Sequence, residues 1–70
     1  MEKTIIYTEY ITLGQLLKFK GVISSGSEAK TFLGVHEVTI NGAKDNRRGR
    51  KLYVGDRVEV LKKEYLISKE

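Results

Sequence analysis

The chain contains no cysteine, no proline and no tryptophan, and only one histidine, His36. Without cysteine there is no disulfide framework, no thiolate metal site and no cysteine nucleophile. With a single histidine, zinc would have to be held by carboxylates alone, and neither a metal nor any other cofactor is expected. Long apolar runs are also missing, so no membrane-spanning segment is expected, and the opening Met1-Glu2-Lys3-Thr4 lacks the apolar stretch of a signal peptide. The default reading is a soluble cytoplasmic protein with no membrane partner. At 40% hydrophobic residues the chain is too apolar for disorder. Seventy residues suffice for one small domain, spanning 1–70, that stabilises itself by packing alone. Size scaling gives such a domain a surface of about 4,500 Å².

What is abundant is positive charge, and it is concentrated. The chain carries thirteen Lys and Arg against nine Asp and Glu, a formal net charge of +4. Between Ala43 and Lys51 lie Lys44, Arg47, Arg48, Arg50 and Lys51 against the single acid Asp45, which accounts for the whole excess. Diffuse basicity suggests only solubility, whereas a patch this dense makes a local potential that attracts polyanions.

The elements read as follows. Lys3 to Ile11, rich in β-branched and aromatic residues, predicts an edge strand. Thr12 and Gln15 have the spacing of a capping box, and Leu13, Leu16 and Leu17 share one helical face, predicting a helix over Leu13–Lys20 that ends at Gly21. Ser25 and Glu28 repeat the capping-box spacing, and Ala29, Phe32 and Leu33 repeat the apolar face, predicting a second helix over Gly26–Val35. His36 is expected as its C-cap, at positive φ, with a ring contact to RNA as the alternative. Val38 and Ile40 alternate with polar residues before the hairpin signal Asn41-Gly42. Leu52 to Val54, a turn at Gly55-Asp56, the alternation of Arg57 to Val60, and Tyr65 to Ile67 supply further strands. The order β-α-α-β-β-β predicts an α+β fold, a helical hairpin packed on a small antiparallel curved sheet.

Catalysis finds little support. Ser24, Ser25 and Ser27 cluster, but only His36 is available as a base, and Ser25 is better explained as a cap. Asp45, Asp56 and Glu59 fall in or beside turns and on a solvent face, and Gly42-Ala43-Lys44 is too short for a phosphate-binding loop. No enzyme and no small-molecule substrate are expected. The six aromatics are dispersed, which favours core and partial-surface roles, with Tyr53 beside the basic loop as the candidate for base stacking.

The functional candidate is the segment Asn46, Arg47, Arg48, Gly49, Arg50 and Lys51. Three arginines within four residues are a poor choice for solubility alone, because the guanidinium fork binds phosphate oxygens in pairs and stacks on bases. Lys18 and Lys30, on the polar faces of the two helices, extend the patch, and both helix N-termini are expected to offer free amides to phosphate. This reading requires the guanidiniums to stand beside the helices; guanidiniums scattered away from them, or locked internally onto carboxylates, would overturn it.

The capped first helix, the Ser-led second helix with Ala29, Phe32 and Leu33, the run Val38-Thr39-Ile40-Asn41-Gly42 and the run Val54-Gly55-Asp56-Arg57-Val58-Glu59-Val60 together resemble the RNA-binding domain named after small-subunit ribosomal protein S-four. Ile11 to Lys18 and Asp45 to Asp56 are similar to the small stand-alone YaaA-type bacterial members. The resemblance implies a helical hairpin on a curved sheet (the alpha-L motif) that binds structured RNA along the helices and the adjoining loop. Ribosomal RNA or a ribosomal particle is the implied partner, and the protein is expected to act as a monomer. Carried over, the RNA-facing positions are Gln15, Lys18, Ser25 and Lys30 with the loop Arg47–Lys51. Two positions depart from the family pattern: Gly26 stands where an Arg is frequent, and His36 where a Gly is usual. Two rivals remain, a DNA-binding helix-turn-helix-like protein and an adaptor that binds an acidic protein without touching RNA.

Overall fold

In the computed structural model, which describes residues 1–70, alternating and helical apolar patterns converge on one core. The elements in order are β1 (Glu2–Ile6), β2 (Ile11–Thr12), α1 (Leu13–Phe19), α2 (Glu28–Val35), β3 (Val38–Ile40), β4 (Ala43–Lys44), β5 (Lys51–Leu52), β6 (Arg57–Val60) and β7 (Lys63–Lys69). Two helices on a small sheet make this the expected α+β fold. From α1 come Leu13, Leu16 and Leu17, each fully buried; from α2 come Ala29 and Leu33; from the sheet come Val38, Ile40, Val58, Val60, Tyr65 and Ile67. The surface is 4,727 Å², close to what size scaling gives a chain of this mass.

The main sheet has the order β1-β7-β6-β3-β4. Asn41 and Gly42, at φ 55° and 85°, turn β3 into β4 as the hairpin signal requires. The same Asn41 spans two motifs. Its Nδ2 donates to Asp56 Oδ1 at 3.0 Å, and its Oδ1 accepts from the Arg57 amide at 2.9 Å. Asp56 Oδ2 in turn accepts from the Tyr53 amide at 2.8 Å. The Asn41-Gly42 and Gly55-Asp56 turns are therefore one interlocked unit.

Several sequence expectations need correction. The first strand ends at Ile6; Tyr7 to Tyr10 loop away, and Ile11–Thr12 form a separate strand. The sheet is mixed, because β1 lies parallel to β7, with Thr4 beside Ile67. Strand direction depends on the return path of the fifty-six residues between Ile6 and Lys63, which local patterning does not carry. β5 leaves the main sheet and pairs with β2, so the basic loop runs from one sheet to the other. Helix α2 begins two residues late, at Glu28. Its N-cap is Ser27, in helical conformation and without a side-chain cap bond. Ser25 is not the cap; the Glu28 carboxylate accepts chiefly from the Ser24 hydroxyl and amide, with a longer bond of 3.4 Å from the Ser25 hydroxyl. These bonds hold the Glu28 carboxyl below its ordinary range, the Ser24 hydroxyl contributing most. His36 does cap α2, its amide donating to Phe32 at 2.8 Å, but at φ −108°, extended rather than left-handed. Its ring stacks on Phe32, centroids 4.5 Å apart. Of the six aromatics only Tyr65 is fully buried, with Phe32 partly so; Tyr7, Tyr10, Phe19 and Tyr53 are exposed.

The tight turn between β6 and β7 lacks the usual turn residues. Leu61 and Lys62 stand at φ 51° and 65°, a region that costs an ordinary side chain roughly 1 kcal/mol or more. Lys62→Gly should therefore raise stability by about 0.5–1 kcal/mol in urea denaturation. Thr4, buried at the β1–β7 pairing, has a hydroxyl with no hydrogen-bond partner. Thr4→Val keeps the shape and removes the unpaired group, so a gain of about 1 kcal/mol is expected in the same assay.

Candidate RNA interface

The N-terminus of a helix leaves its first amides without partners inside the helix. In α1 three of these are met within the protein, one locally and two by the basic loop. Thr12 Oγ accepts from the Gln15 amide at 3.2 Å, while Gln15 Oε1 takes the Thr12 amide at 2.8 Å, completing the predicted capping box. The Leu13 and Gly14 amides donate to the carbonyls of Arg50 and Arg48, at 2.8 and 2.9 Å. Next to them, Ile11 and Thr12 pair with Leu52 and Lys51. The basic loop is thus sewn to the start of α1 along its whole second half. Gly14 makes the approach possible: a Cβ there would stand 3.3 Å from the Arg48 carbonyl oxygen. The expectation that these amides are free for phosphate is overturned, because the loop's own carbonyls occupy them. The amides of Glu28 and Ala29 at the start of α2 are likewise taken, by Ser25 and Gly26.

The loop is fastened from inside as well. Arg47, Arg48, Gly49 and Arg50 form a turn closed by the Arg50 amide on the Arg47 carbonyl, at 3.0 Å. Asp45, whose side chain is only 8% exposed, sits within it. Its carboxylate accepts from Arg47 Nε at 3.0 Å, Arg47 Nη2 at 2.7 Å, the Arg47 amide at 2.9 Å and Arg50 Nη1 at 2.8 Å. The Arg47 side chain, then its amide and the Arg50 guanidinium, hold the Asp45 carboxyl far below the ordinary carboxylate range against the opposing effect of burial.

This arrangement separates the sequence candidates. Arg47 and Arg50 are tied to Asp45, so for two of the three arginines the condition that counts against the reading is met: they are in large part the loop's internal clamp, and Arg48 alone is left as the reading requires. Arg47 keeps a side chain 69% exposed and Arg50 one 31% exposed, so neither is closed off. Arg48 makes no ion pair and no side-chain hydrogen bond. It stands at the junction of two shallow grooves. One runs between α1, the approach to α2 and the loop, lined by Gln15, Lys18 and Arg48 over Gly14, Gly26 and Gly49. The other runs between α2 and the loop, lined by Lys30, Asn46 and Arg48 over Gly34. Gln15, Lys18, Lys30, Asn46 and Arg48 are therefore brought to one face. Ser25 is not among them; its hydroxyl lies 3.0 Å from that of Ser27. Lys51 points elsewhere, its ammonium 4.8 Å from the centre of the Tyr10 ring.

The glycine floor and the Asp45 clamp were not legible as such. Gly26, Gly34 and Gly49 read as helix or loop glycines in sequence. Each has open space where a Cβ would stand, so packing does not demand glycine there. Asp45 read as one acid in a basic run, though Asp followed two residues later by Arg47 carries the pattern of a side chain turned onto its own backbone.

A family model described as the S4 domain matches residues 4–68. The chain belongs to the S4 domain family. It is 66% identical over 55 residues to a protein of Bacillus subtilis (strain 168) described as "Probable ribosome maturation protein RlbA", an alignment covering 79% of this chain and 78% of that protein. No solved structure matches it. The motifs on which the family resemblance rests, Asn41-Gly42 and Gly55-Asp56, are the two turns interlocked through Asn41. In this S4 domain they brace the strands that flank the basic loop. No helix is long and apolar enough to cross a membrane.

Asp45→Asn should loosen the loop. Because the folded-state pKa of Asp45 is depressed, the stability it supplies is fully present above the unfolded carboxylate range, about pH 4, and is lost as the pH falls below it. The melting temperature of the variant should therefore lie below that of the native chain by a constant gap from pH 7 to about pH 4, and the gap should close in stronger acid. Thermal melts followed by circular dichroism across this range check it.

Proposed function

We propose that this protein is an RNA-binding module that grips the ribose-phosphate surface of structured RNA, and that it acts by binding rather than by chemistry. The observation that carries this reading is Arg48, unpaired and held by its own carbonyl on α1, between the grooves that hold Lys18 and Lys30. A guanidinium with no internal partner keeps all its donors for phosphate, and the loop's attachment to α1 means little ordering entropy is lost on binding. Glycines along the floor let a ribose-phosphate strand approach backbone closely. A module footprint of roughly 600–1,000 Å² would take about a sixth of the surface, the extent of this one face.

Membership of the S4 family, an RNA-binding family, supports RNA as the ligand. The similarity to a protein described as a probable ribosome maturation protein supports ribosomal RNA or a ribosomal particle as its source. Gln15 and Asn46 would then contribute hydrogen bonds, Lys18, Lys30 and Arg48 charge. The DNA-binding alternative is poorly served by α2. Its exposed positions include one base, Lys30, and its first turn carries Glu28, which a major-groove helix would bring against phosphate.

The discriminating variant is Lys18→Ala/Lys30→Ala/Arg48→Ala, because none of the three residues is buried or ion-paired. Removing Arg47 and Arg50 as well would uncover the Asp45 charge and confuse binding with folding. Filter binding to purified ribosomal RNA should show affinity falling roughly ten- to a hundredfold, and the log–log salt slope losing about 0.7–0.9 for each contact removed, with the melting temperature unchanged. Unchanged affinity and slope would reject the reading. Equal binding to duplex DNA of matched length would favour the helix-turn-helix alternative. Association with ribosomal particles that survives nuclease digestion would favour the adaptor.

A further inference from the structure

The other side of the basic loop carries a second group of residues that the helix face does not use. Tyr10, just before β2, and Tyr53, just after β5, are brought together by the short β2–β5 pairing, with ring centroids 5.8 Å apart and planes tilted by 49°. Both rings reach the surface, Tyr10 36% and Tyr53 43% exposed. Lys51 lies against the Tyr10 ring at 4.8 Å. A hollow of about 590 Å³ opens beside Tyr53, lined further by Arg47, Gly49, Arg50, Lys51 and Asp56. Asp56, the one acid there, already accepts bonds from Asn41 and the Tyr53 amide.

Two tyrosine rings held at the surface by a strand pair, bordered by cations, need an explanation. The core cluster does not include them, and their pairing presents ring surface to solvent. The tilt keeps the two rings from stacking face to face, and Tyr53, the more exposed of the two, borders the hollow. The surrounding Lys and Arg suit an anionic group held a sugar's length from a planar guest on that ring. A nucleotide has this combination of flat base and attached phosphate, and base–aromatic stacking tolerates any base. Duplex RNA does not offer it, because its bases are stacked on one another.

We propose that Tyr53, with Tyr10 behind it and Lys51 and Arg50 at its edge, is a stacking subsite for an unpaired nucleotide, so that the preferred ligand is a paired RNA segment with an unpaired nucleotide adjoining it. This rests on the RNA-binding reading above and adds to it: the helix face holds the paired backbone while the tyrosine face, across the same rigid loop, takes the base that leaves the helix. The single-stranded flank is what distinguishes the preferred RNA from a plain duplex.

The test uses two RNA hairpins of equal length, one fully paired and one with a single-stranded extension carrying 2-aminopurine, and the full chain as the native protein and as Tyr10→Leu/Tyr53→Leu. Leucine keeps apolar contact but has no ring face. Neither tyrosine side chain is buried, and circular dichroism checks that the variant is folded. The native protein should bind the extended hairpin about tenfold more tightly than the paired one, and 2-aminopurine fluorescence should fall on binding. The double variant should bind the paired hairpin as the native protein does and lose both the tenfold preference and the quenching. Equal affinity of the native protein for the two hairpins, without quenching, would overturn the subsite while leaving the RNA-binding reading intact. A preference that the double variant retains would overturn it too. Failure to bind either hairpin would bring down both readings, and a tyrosine-dependent association with an acidic protein in place of RNA would make this face a protein-docking surface instead.

Discussion

The rest of the molecule depends on how one short helix is closed at its beginning. A seven-residue helix has no stability to spare, and each uncapped amide at its start would have to be left to water. Here the chain solves the problem with residues far away in sequence: the carbonyls of Arg48 and Arg50 meet the amides of Gly14 and Leu13. One set of backbone bonds thereby stabilises α1 and immobilises the loop. Function and fold share those bonds, so the cationic segment does not wave in solvent as charge runs usually do.

Asp45 adds the second half of that constraint. Repulsion among Arg47, Arg48 and Arg50 in a four-residue turn opposes compact folding, and a nearly buried carboxylate bound to two of them relieves it. The result is an unequal division of labour among chemically identical side chains. Two guanidiniums shape the turn, and the third is left with no internal partner beside Lys18 and Lys30. Charge that looks uniform along the sequence is sorted in space to two sides of the loop, toward the helices at Arg48 and toward Tyr10 and Tyr53 at Lys51.

Local signals were legible where local physics decides. The Thr12–Gln15 capping box, the apolar faces of both helices, the left-handed Gly21 and the Asn41-Gly42 turn depend on residues within four positions of one another. Signals failed where an alternative local bond competed. At the start of α2, Glu28 turned to Ser24 instead of closing a box with Ser25, and the helix began later. The β6–β7 turn gave no warning, because Leu61 and Lys62 accept an unfavourable backbone conformation that the pairing of two well-packed strands imposes.

Of the candidate site, the sequence by itself determined the composition: a dense cationic segment, two lysine-bearing helices and a family pattern, all properties of residues or of short spacings. The tertiary structure alone decided which cations are free. That question turns on contacts between residues 11–14 and 48–52 and on where Asp45 points. The first brings together groups whose separation along the chain exceeds the reach of any periodicity; the second depends on which of several nearby cations the turn sets against the carboxylate. A charge acquires its role only from the partner that folding sets within hydrogen-bond distance of it.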